Sequence, residues 1–277
     1  MSVLSGEKFK LKLIPASEVM LHEQSEDTRY IKLIERFKQE KVLFNPLIVG
    51  KFNDNYILID GANRFRALKE SGCLIILAQI VNYKSPKVKL KSWYHFVNII
   101  TFHDLEKFLN KNNFEYKTCS SRLLREKLSV RLNYVGVVSK SGKAMCIRFS
   151  KKLPEMLKQF SILNKYYESN FSYTRVDSDA NLDNLDDLSP NDGLLFIYPP
   201  FKKEDIVKIS KVPEKLPAGI TRHLIPNRVL RIKFEIESLI SADNLEQKNE
   251  NLGKLVAGKI ESKKVRLYRE PILIFDE

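Results

Sequence analysis

Cysteine, histidine and tryptophan are scarce in this sequence of 277 residues, which contains three, four and one of them. The cysteines, Cys73, Cys119 and Cys146, are odd in number and far apart, so they form neither a disulfide framework nor a zinc-binding pattern. The four histidines are equally scattered, which argues against a metal cluster of His and Cys. We therefore expect each cysteine to fill a core position as a small apolar residue.

Long apolar runs are also missing. The longest uninterrupted runs, such as residues 74–78, are far too short to cross a membrane. Charged residues interrupt residues 1–13, so no apolar core for a signal peptide is present there. A composition with 43% hydrophobic and 29% charged residues is typical of a globular protein in water. We expect a cytoplasmic protein without a membrane partner, large enough for two modest domains or one large one.

The basic charge excess limits the possible partners without identifying one. The net charge of +13 comes from 47 basic and 34 acidic residues. Such an excess is compatible with nucleic-acid binding, with attraction of an anionic nucleotide, or with a surface suited to high temperature. The only dense basic run is Lys84, Lys87, Lys89 and Lys91, and no recognisable nucleic-acid module with interleaved aromatic residues accompanies it. The sequence therefore argues against nucleic acid as a partner.

Apolar periodicity predicts an α+β fold with two domains, residues 1–95 and 96–277, joined without a flexible spacer. Strands are predicted at 9–14, 47–49, 56–59, 74–81, 132–138, 144–149, 171–176, 194–198, 229–234 and 265–275. Helices are predicted at 30–41, 121–128, 153–163, 202–209 and 245–260, with Ser121 as a cap. Residues 17–23 are predicted to form a loop, and the aspartate-rich segment 177–192 a solvated acidic loop without calcium-binding spacing.

The stretch from Tyr56 to Leu68 combines a strand, an Asp-Gly turn and the start of a helix that ends before Gly72, so a β-α-β unit is expected with the strand at 74–81. Gly61 lets the backbone approach a bound group closely, and unpaired N–H groups in the first helical turn form a natural phosphate cradle. Arg64 is placed to add a bidentate phosphate contact. The residues alone leave open an ordinary strand-turn-helix in which Asp60 caps the helix.

The run at 60–68, Asp-Gly-Ala-Asn-Arg-Phe-Arg-Ala-Leu, resembles the signature turn of the ParB/sulfiredoxin-like domain. Ala62 stands where sulfiredoxins carry their catalytic cysteine, which argues against that redox chemistry. The second arginine-rich motif and the helix-turn-helix of ParB partition proteins are not found in the sequence. The remaining branch is the free L-serine kinase family. Three further segments resemble it: Leu-His-Glu at 21–23, Ser-Trp-x-His at 92–95 and Pro-Ala-Gly-Ile-Thr-Arg at 217–222.

This resemblance implies phosphoryl transfer from ATP or ADP, with Mg²⁺, to the hydroxyl of L-serine, giving O-phospho-L-serine for cysteine or related biosynthesis. It implies a ParB/sulfiredoxin-like nucleotide-binding domain and a second α+β domain that contributes the serine-binding segment, with the active site in a cleft between them. Glu23 is the expected general base, and Asp60 an expected catalytic residue and magnesium ligand. The phosphates are expected to contact Gly61, Ala62, Asn63 and Arg64. The serine is expected to contact Trp93, Thr221, Arg222 and His223, with its carboxylate on Arg222.

Several alternatives stay open at this point. His22 either orients Glu23 or only packs, Trp93 either walls the serine pocket or fills a core, and Glu26 and Arg29 have the spacing of an ion pair. ATP is the preferred donor over ADP, and a monomer or small homo-oligomer is expected. Two other functions compete: a ParB-like nucleic-acid-binding or nucleotide-switch protein, and a kinase for another small hydroxyl compound.

Overall fold

The computed structural model describes residues 9–53, 55–180, 185 and 191–268. Its helices are α1 (Asp27–Glu40), α2 (Ala62–Glu70), α3 (Phe102–Lys111), α4 (Ser121–Val130), α5 (Leu153–Asn170), α6 (Lys203–Ser210) and α7 (Leu245–Glu261). Its strands are β1 (Leu11–Pro15), β2 (Val19–Met20), β3 (Val42–Leu43), β4 (Leu47–Phe52), β5 (Asn55–Asp60), β6 (Ile75–Asn82), β7 (Lys89–Asn98), β8 (Glu115–Cys119), β9 (Tyr134–Ser139), β10 (Ala144–Arg148), β11 (Tyr173–Asp177), β12 (Gly193–Ile197), β13 (Thr221–Leu224) and β14 (Phe234–Glu235). The predicted α+β class is confirmed.

The described residues form two compact units. Unit one contains residues 9–20, 26–88 and 225–268, and unit two contains residues 21–25 and 89–224, each with the gaps given above. This division differs from the expected boundary at residue 95, because the segment after residue 225 returns to unit one. There α7 packs against β1, and the Asn249 side chain exchanges two hydrogen bonds with the Leu13 backbone, at 2.9 and 3.0 Å.

Unit one is built on a five-stranded sheet with the strand order β1-β6-β4-β5-β2. β4 and β5 form the predicted antiparallel hairpin, and β1 pairs antiparallel with β6. β4 and β6 are parallel, as are β2 and β5. β4 and β6 each contain an unbroken run of buried residues, 47–50 and 75–79, and successive residues within each strand point to alternate faces of the sheet. The central strands are therefore covered on both faces, which their continuous apolar sequence requires.

The predicted β-α-β unit is wrong in its strand arrangement. β5, α2 and β6 follow each other along the chain, but β4 lies between the two strands in the sheet. Since β4 is antiparallel to β5 and parallel to β6, β5 and β6 run in opposite directions. The apolar pattern specifies strands and a helix, whereas the sheet order depends on contacts that are distant in sequence.

Four other predicted segments differ from the structure. Residues 17–23 include a short 3-10 helix (Ala16–Glu18) and β2 rather than a continuous loop. The strand predicted at 229–234 is confined to β14, because Arg231 and Lys233 have positive φ angles, which interrupt an extended backbone. The side chain that caps α4 belongs to Ser120, which accepts from the Leu123 N–H, and not to Ser121. Residues 265–268 are irregular, and the rest of the strand predicted at 265–275 lies outside the described residues, as does most of the acidic segment.

Unit two is built on a larger antiparallel sheet with the order β11-β7-β12-β9-β10-β8. β7 is its organising strand: its second half pairs with both β11 and β12, and its first half pairs with β13. The β13 register places Leu224 opposite Lys89 and Thr221 opposite Ser92. The predicted hairpin of β9 and β10 and the predicted helices α5 and α6 are confirmed. None of the helices within the described ranges is long and apolar enough to span a membrane.

Two of the cysteines occupy core positions, as expected. Cys73 and Cys146 are buried, and burial raises the pKa of the Cys73 thiol to about 11. Cys119 on β8 is only half-buried, and its Sγ lies 2.8 Å from Sγ of Cys146 on β10. Desolvation and this thiol neighbour raise the pKa of Cys119 to about 12. The Cys119 thiol therefore stays protonated at neutral pH.

Candidate functional site

The strand-turn-helix at residues 56–68 has the predicted form. β5 ends at Asp60, and α2 begins at Ala62 after Gly61, which is the N-terminal cap residue with φ of +101°. This left-handed conformation strains any residue with a Cβ. Glycine has no side chain to cap the N–H groups at the start of α2, which have no partner within the helix, and a Cβ at this position would lie 3.1 Å from Nη2 of Arg64. The turn therefore has the features of an anion-binding helix terminus.

Arg64 folds back over this turn. Its Nη1 donates to the backbone carbonyls of Asn45 (3.0 Å) and Pro46 (2.7 Å), and its Nη2 donates to Oδ2 of Asp60 at 2.6 Å. Its side chain is only 20% exposed. Arg64 therefore ties the start of β4 to the end of β5, and its predicted contact with phosphate stays a prediction.

Asn63 connects the turn to the first helix of unit one. Its Oδ1 accepts from the backbone N–H of Glu26 at 2.7 Å, and Glu26 is the N-terminal cap residue of α1. Glu26 also forms the expected ion pair with Arg29, at 3.1 Å. The Asn63 amide therefore links the N-terminus of α2 to the N-terminus of α1. Its contact with phosphate stays a prediction.

Asp60 is held by a second arginine that the sequence analysis missed. Arg228 Nη1 donates to Oδ2 of Asp60 at 3.0 Å, the same oxygen that Arg64 contacts. Burial by itself raises the pKa of Asp60, but the two guanidinium groups outweigh burial and keep the pKa below its ordinary value of 3.8. The carboxylate is therefore ionised at neutral pH. Its Oδ1 takes no hydrogen bond from the residues that the structure describes.

The Arg228 backbone is fixed by a buried amide. Gln79 on β6 is 1% exposed, and its Nε2 donates to the carbonyl of Asn227 while its Oε1 accepts from the N–H of Val229, at 3.0 and 2.9 Å. These two bonds clamp the residues on either side of Arg228. A buried polar side chain with both ends satisfied is a rigid anchor.

In unit two, the segment at 21–25 lies beside the segment before β13. The N–H of Gln24 donates to the Leu216 carbonyl (2.8 Å), and the N–H of Leu216 donates to the His22 carbonyl (2.9 Å). Glu23 and Leu216 form a parallel bridge. The two predicted motifs at 21–23 and 217–222 therefore meet within one unit, although almost 200 residues separate them in the chain.

The Glu23 carboxylate holds the turn that enters β13. Oε1 accepts from the backbone N–H and from Oγ1 of Thr221, both at 2.6 Å, and Oε2 accepts from the N–H of Gly219 at 3.4 Å. His22 is buried, and its Nε2 lies 2.9 Å from Oγ1 of Thr221. Since the Thr221 hydroxyl donates to Glu23, it accepts from Nε2 of His22, so His22 is linked to the carboxylate through that hydroxyl. The orienting role of His22 stays a prediction.

Arg222 and Trp93 lie together, as the serine-binding prediction requires. The Arg222 guanidinium lies over the Trp93 ring, 4.4 Å from its centroid, and Nη1 is paired with the Asp177 carboxylate. Asp177 faces Trp93 across the β7–β11 pair. Trp93 is half-buried rather than central in a core, and its role as a wall of the serine pocket stays a prediction. His223 is buried with its ring edge-on to His22, 5.4 Å between centroids, so it packs behind the turn.

The Gly219 turn rests on a buried polar chain. Gly219 has φ of +75°, and a Cβ there would collide with the Arg175 guanidinium. Its carbonyl accepts from Nε2 of His95 at 3.0 Å, and Nδ1 of His95 accepts from the Tyr167 hydroxyl at 2.6 Å. Tyr167 in turn contacts Asn164 and Tyr198. The chain fixes the His95 tautomer and thereby the Gly219 carbonyl.

We expect His95 to make unit two less stable in acid. Burial, with a smaller contribution from Arg175, lowers the pKa of His95 from 6.5 to about 4. Between these pH values the unfolded chain binds a proton that the folded state excludes, so stability falls as pH falls from 6.5 to 4. At about 1.4 kcal/mol per pH unit, the loss amounts to about 3 kcal/mol. Urea unfolding at a series of pH values measures it.

The matched variants are His95→Gln and His103→Gln. Glutamine at position 95 retains a donor for the Gly219 carbonyl and does not titrate, so its unfolding free energy should change less with pH in this range. His103 is exposed on α3, and its replacement should leave the pH dependence unchanged. An unaltered acid dependence in His95→Gln would show that His95 is not the group responsible.

The described residues contain no metal site made from protein side chains alone. Across the described ranges, no three or more His, Cys, Asp or Glu side chains converge to hold a metal ion. Mg²⁺ is commonly held by one or two carboxylates together with substrate phosphates. The ionised Asp60, whose Oδ1 is not hydrogen-bonded, fits the role of such a carboxylate.

Comparison with known proteins gives relatives over most of the chain. No protein-family model matches. An ATP-dependent L-serine kinase from Staphylothermus marinus is 26% identical over 219 residues, which cover 77% of this chain and 85% of that protein. The ATP-dependent L-serine kinase SbnI from Staphylococcus aureus is 24% identical over 268 residues, or 96% of this chain and 97% of that protein.

Solved structures share the fold. C-terminally truncated SbnI from Staphylococcus aureus matches with a TM-score of 0.72 and 22% identity, over 92% of this chain and 98% of that one. A free serine kinase variant in complex with AMP matches with a TM-score of 0.71 and 21% identity, over 84% of this chain and 94% of that one. The mixed α+β architecture described above is therefore that of these proteins.

Proposed function

We propose that this chain, a member of the free L-serine kinase family, transfers a phosphoryl group from ATP to the hydroxyl of L-serine. The resemblance of the motifs to this family is confirmed by relatives named ATP-dependent L-serine kinase that match over most of their length. The observation that carries the proposal is the contact of Glu23 with Thr221, at 2.6 Å. It joins two segments that the family resemblance selected independently and that lie almost 200 residues apart in the chain.

Unit one is proposed to bind the donor. The start of α2 offers N–H groups and partial positive charge to phosphate oxygens, and Gly61 lets a phosphate group approach the backbone. The two arginines at Asp60 give the turn a net positive charge. AMP is bound in one of the structures that share this fold, which supports a nucleotide here.

Unit two is proposed to bind L-serine and to accept its hydroxyl proton. The Arg222 guanidinium fits the serine carboxylate, and Trp93 forms the adjoining wall. Oε1 of Glu23 is occupied by two short hydrogen bonds, while Oε2 takes, among the described residues, only the long bond from Gly219. Oε2 is therefore the oxygen with capacity to take the proton when the hydroxyl attacks the terminal phosphorus.

Mg²⁺ is proposed to be held by Asp60 together with the nucleotide phosphates, where it would neutralise phosphate charge. We expect Asp60→Asn to lower activity most at low Mg²⁺ concentration, because an amide is the weaker ligand and excess metal compensates. Initial rates over a magnesium titration measure this effect, with Asp104→Asn as the control, since Asp104 only caps α3. An equal loss at every magnesium concentration would assign Asp60 to orientation of the acceptor instead.

Incubation of the purified protein with ATP and L-serine, followed by detection of O-phospho-L-serine, tests the proposed function. ADP in place of ATP tests the donor, and other small hydroxyl compounds in place of serine test the competing acceptor. Binding to duplex DNA with steep salt dependence and no phosphoserine formation would favour the nucleic-acid alternative. Absence of phosphoserine with ATP would overturn the proposal.

Several finer expectations stay predictions. They are the ParB/sulfiredoxin-like identity of unit one, an active-site cleft, the use of the product in cysteine biosynthesis, a cytoplasmic location, and a monomer or small homo-oligomer. The phosphate contacts of the residues at 61–64 and the serine contacts of Thr221 and His223 also belong here. In the structure both of these serine-site side chains are buried, so backbone groups or the packing of the turn are their more direct contribution.

A further inference from the structure

Two arginines share one oxygen of Asp60, but they are bound very differently. Arg64 uses three of its five N–H donors in the folded chain, two of them on backbone carbonyls. Arg228 uses one, on Asp60, and its side chain is 37% exposed compared with 20% for Arg64. Arg228 can therefore bind a ligand through its remaining donors without breaking contacts that hold unit one together.

We propose that Arg228 is a phosphate-binding residue of the donor site and contacts the phosphates of ATP beyond the α-phosphate. This inference rests on the proposed function. Arg228 contacts the carboxylate of Asp60, the last residue of β5, directly before the turn proposed to receive the nucleotide. If Asp60 were to hold Mg²⁺ together with nucleotide phosphates, an arginine on the same carboxylate would lie close to those phosphates.

The side chain is presented on a fixed backbone. Gln79 bonds the residues on both sides of Arg228, and Asn227 takes the left-handed conformation (φ of 52°) that asparagine tolerates better than most residues. Asp60 holds the guanidinium in place in the absence of nucleotide. A preorganised cation of this kind loses little conformational entropy when phosphate binds.

The test compares Arg228→Gln with Arg231→Gln. Both remove one positive charge from the same segment, but the Arg231 side chain is exposed and forms no hydrogen bond or ion pair with the residues that the structure describes. Calorimetric Kd values for ATP, ADP and AMP are measured for the wild type and both variants at one ionic strength, together with thermal unfolding.

We expect Arg228→Gln to raise the Kd for ATP by about tenfold or more, since charge-assisted hydrogen bonds to phosphate are lost. The rise should be smaller for ADP and smallest for AMP, because fewer phosphate charges remain for the arginine to contact. Arg228→Lys, which retains the charge but not the planar fork, should recover part of the affinity. Arg231→Gln should change each Kd less than twofold, and the unfolding temperature should be unchanged in all variants.

An unchanged Kd for ATP in Arg228→Gln would overturn the assignment while leaving the kinase function intact. An equal rise for all three nucleotides would also overturn it, because a contact limited to the α-phosphate or an altered turn would then explain the loss. A wild-type protein that binds none of the nucleotides would overturn the proposed function itself, and this inference with it.

Discussion

Glu23→Gln is expected to lower kcat by about a hundredfold or more while the Kd for ATP stays unchanged. The amide keeps the size of the side chain but cannot accept a proton, so the attacking hydroxyl loses its base. Pre-steady-state and steady-state kinetics with saturating serine measure the chemical step. Glu18→Gln provides the matched control, since Glu18 is an exposed glutamate in unit one and its replacement changes the net charge equally.

The structure gives Glu23 a second role that this experiment must separate from the first. The Glu23 carboxylate accepts from two backbone N–H groups of the turn at 219–221. In Glu23→Gln the side-chain NH₂ group would repel whichever of these N–H groups it faced. Loss of turn geometry alone should raise the KM for serine, whereas loss of the base should lower kcat. Thr221→Val removes the hydroxyl bond to Glu23 without removing the carboxylate. A near-normal kcat in Glu23→Gln with a raised KM for serine would show that Glu23 holds the turn at 219–221 and is not the base.

Arg222→Ala is expected to raise the KM for serine by about a hundredfold and to leave the KM for ATP nearly unchanged. A guanidinium–carboxylate fork contributes on the order of 3 kcal/mol, and its loss leaves the ligand carboxylate unpaired. Serine amide, which lacks the carboxylate, should be a poor substrate for the wild type. The variant should discriminate far less between serine and its amide. Kinetics with both acceptors measure the difference.

Asp177 competes with the serine carboxylate for Arg222, which the sequence did not suggest. In the structure Arg222 is already paired with Asp177, so the serine carboxylate must share or replace that partner. Asp177→Asn removes the competing charge and should lower the KM for serine, provided the guanidinium stays on Trp93. Arg148→Ala is the control for Arg222→Ala, because Arg148 forms a more exposed ion pair with Glu115 on the same sheet. A rise in the KM for ATP in Arg222→Ala would place Arg222 at the phosphates instead.

Local patterns predicted the elements whose signal lies within a short window. The β4–β5 hairpin, α1, α5 and α7 were all predicted, because their apolar residues recur with a regular period. β7 was missed, although it organises unit two. Ser92 and His95 occupy buried positions on this strand and interrupt its apolar pattern. Their burial is possible because each side chain has a hydrogen-bond partner from another part of the fold. The sequence cannot show that the Pro199 carbonyl and the Tyr167 hydroxyl will satisfy them.

The site was predictable to the extent that motifs identify it. The turn at 60–64 and the meeting of Trp93 with Arg222 were expected, and the structure contains both. The partners Arg228 and Asp177 were not expected, since a single arginine or aspartate carries no signal in the sequence. Arg228 lies 168 residues from Asp60 in the chain, and Asp177 lies 45 residues from Arg222, and only the fold brings each pair into contact. Ion pairs of this kind are properties of the tertiary structure.

The main segment of unit two, residues 89–224, begins and ends at neighbouring points, because Lys89 and Leu224 face each other across the paired strands β7 and β13. Closely spaced ends are the requirement for one domain to be inserted into the chain of another. Direct connection of Val88 to Ile225 through a short turn should therefore give a shortened protein that keeps unit one, including α7 on β1. A fragment cut at residue 95 lacks α7 and should aggregate. In it the edge strand β1 loses both the packing of α7 and its hydrogen bonds with Asn249.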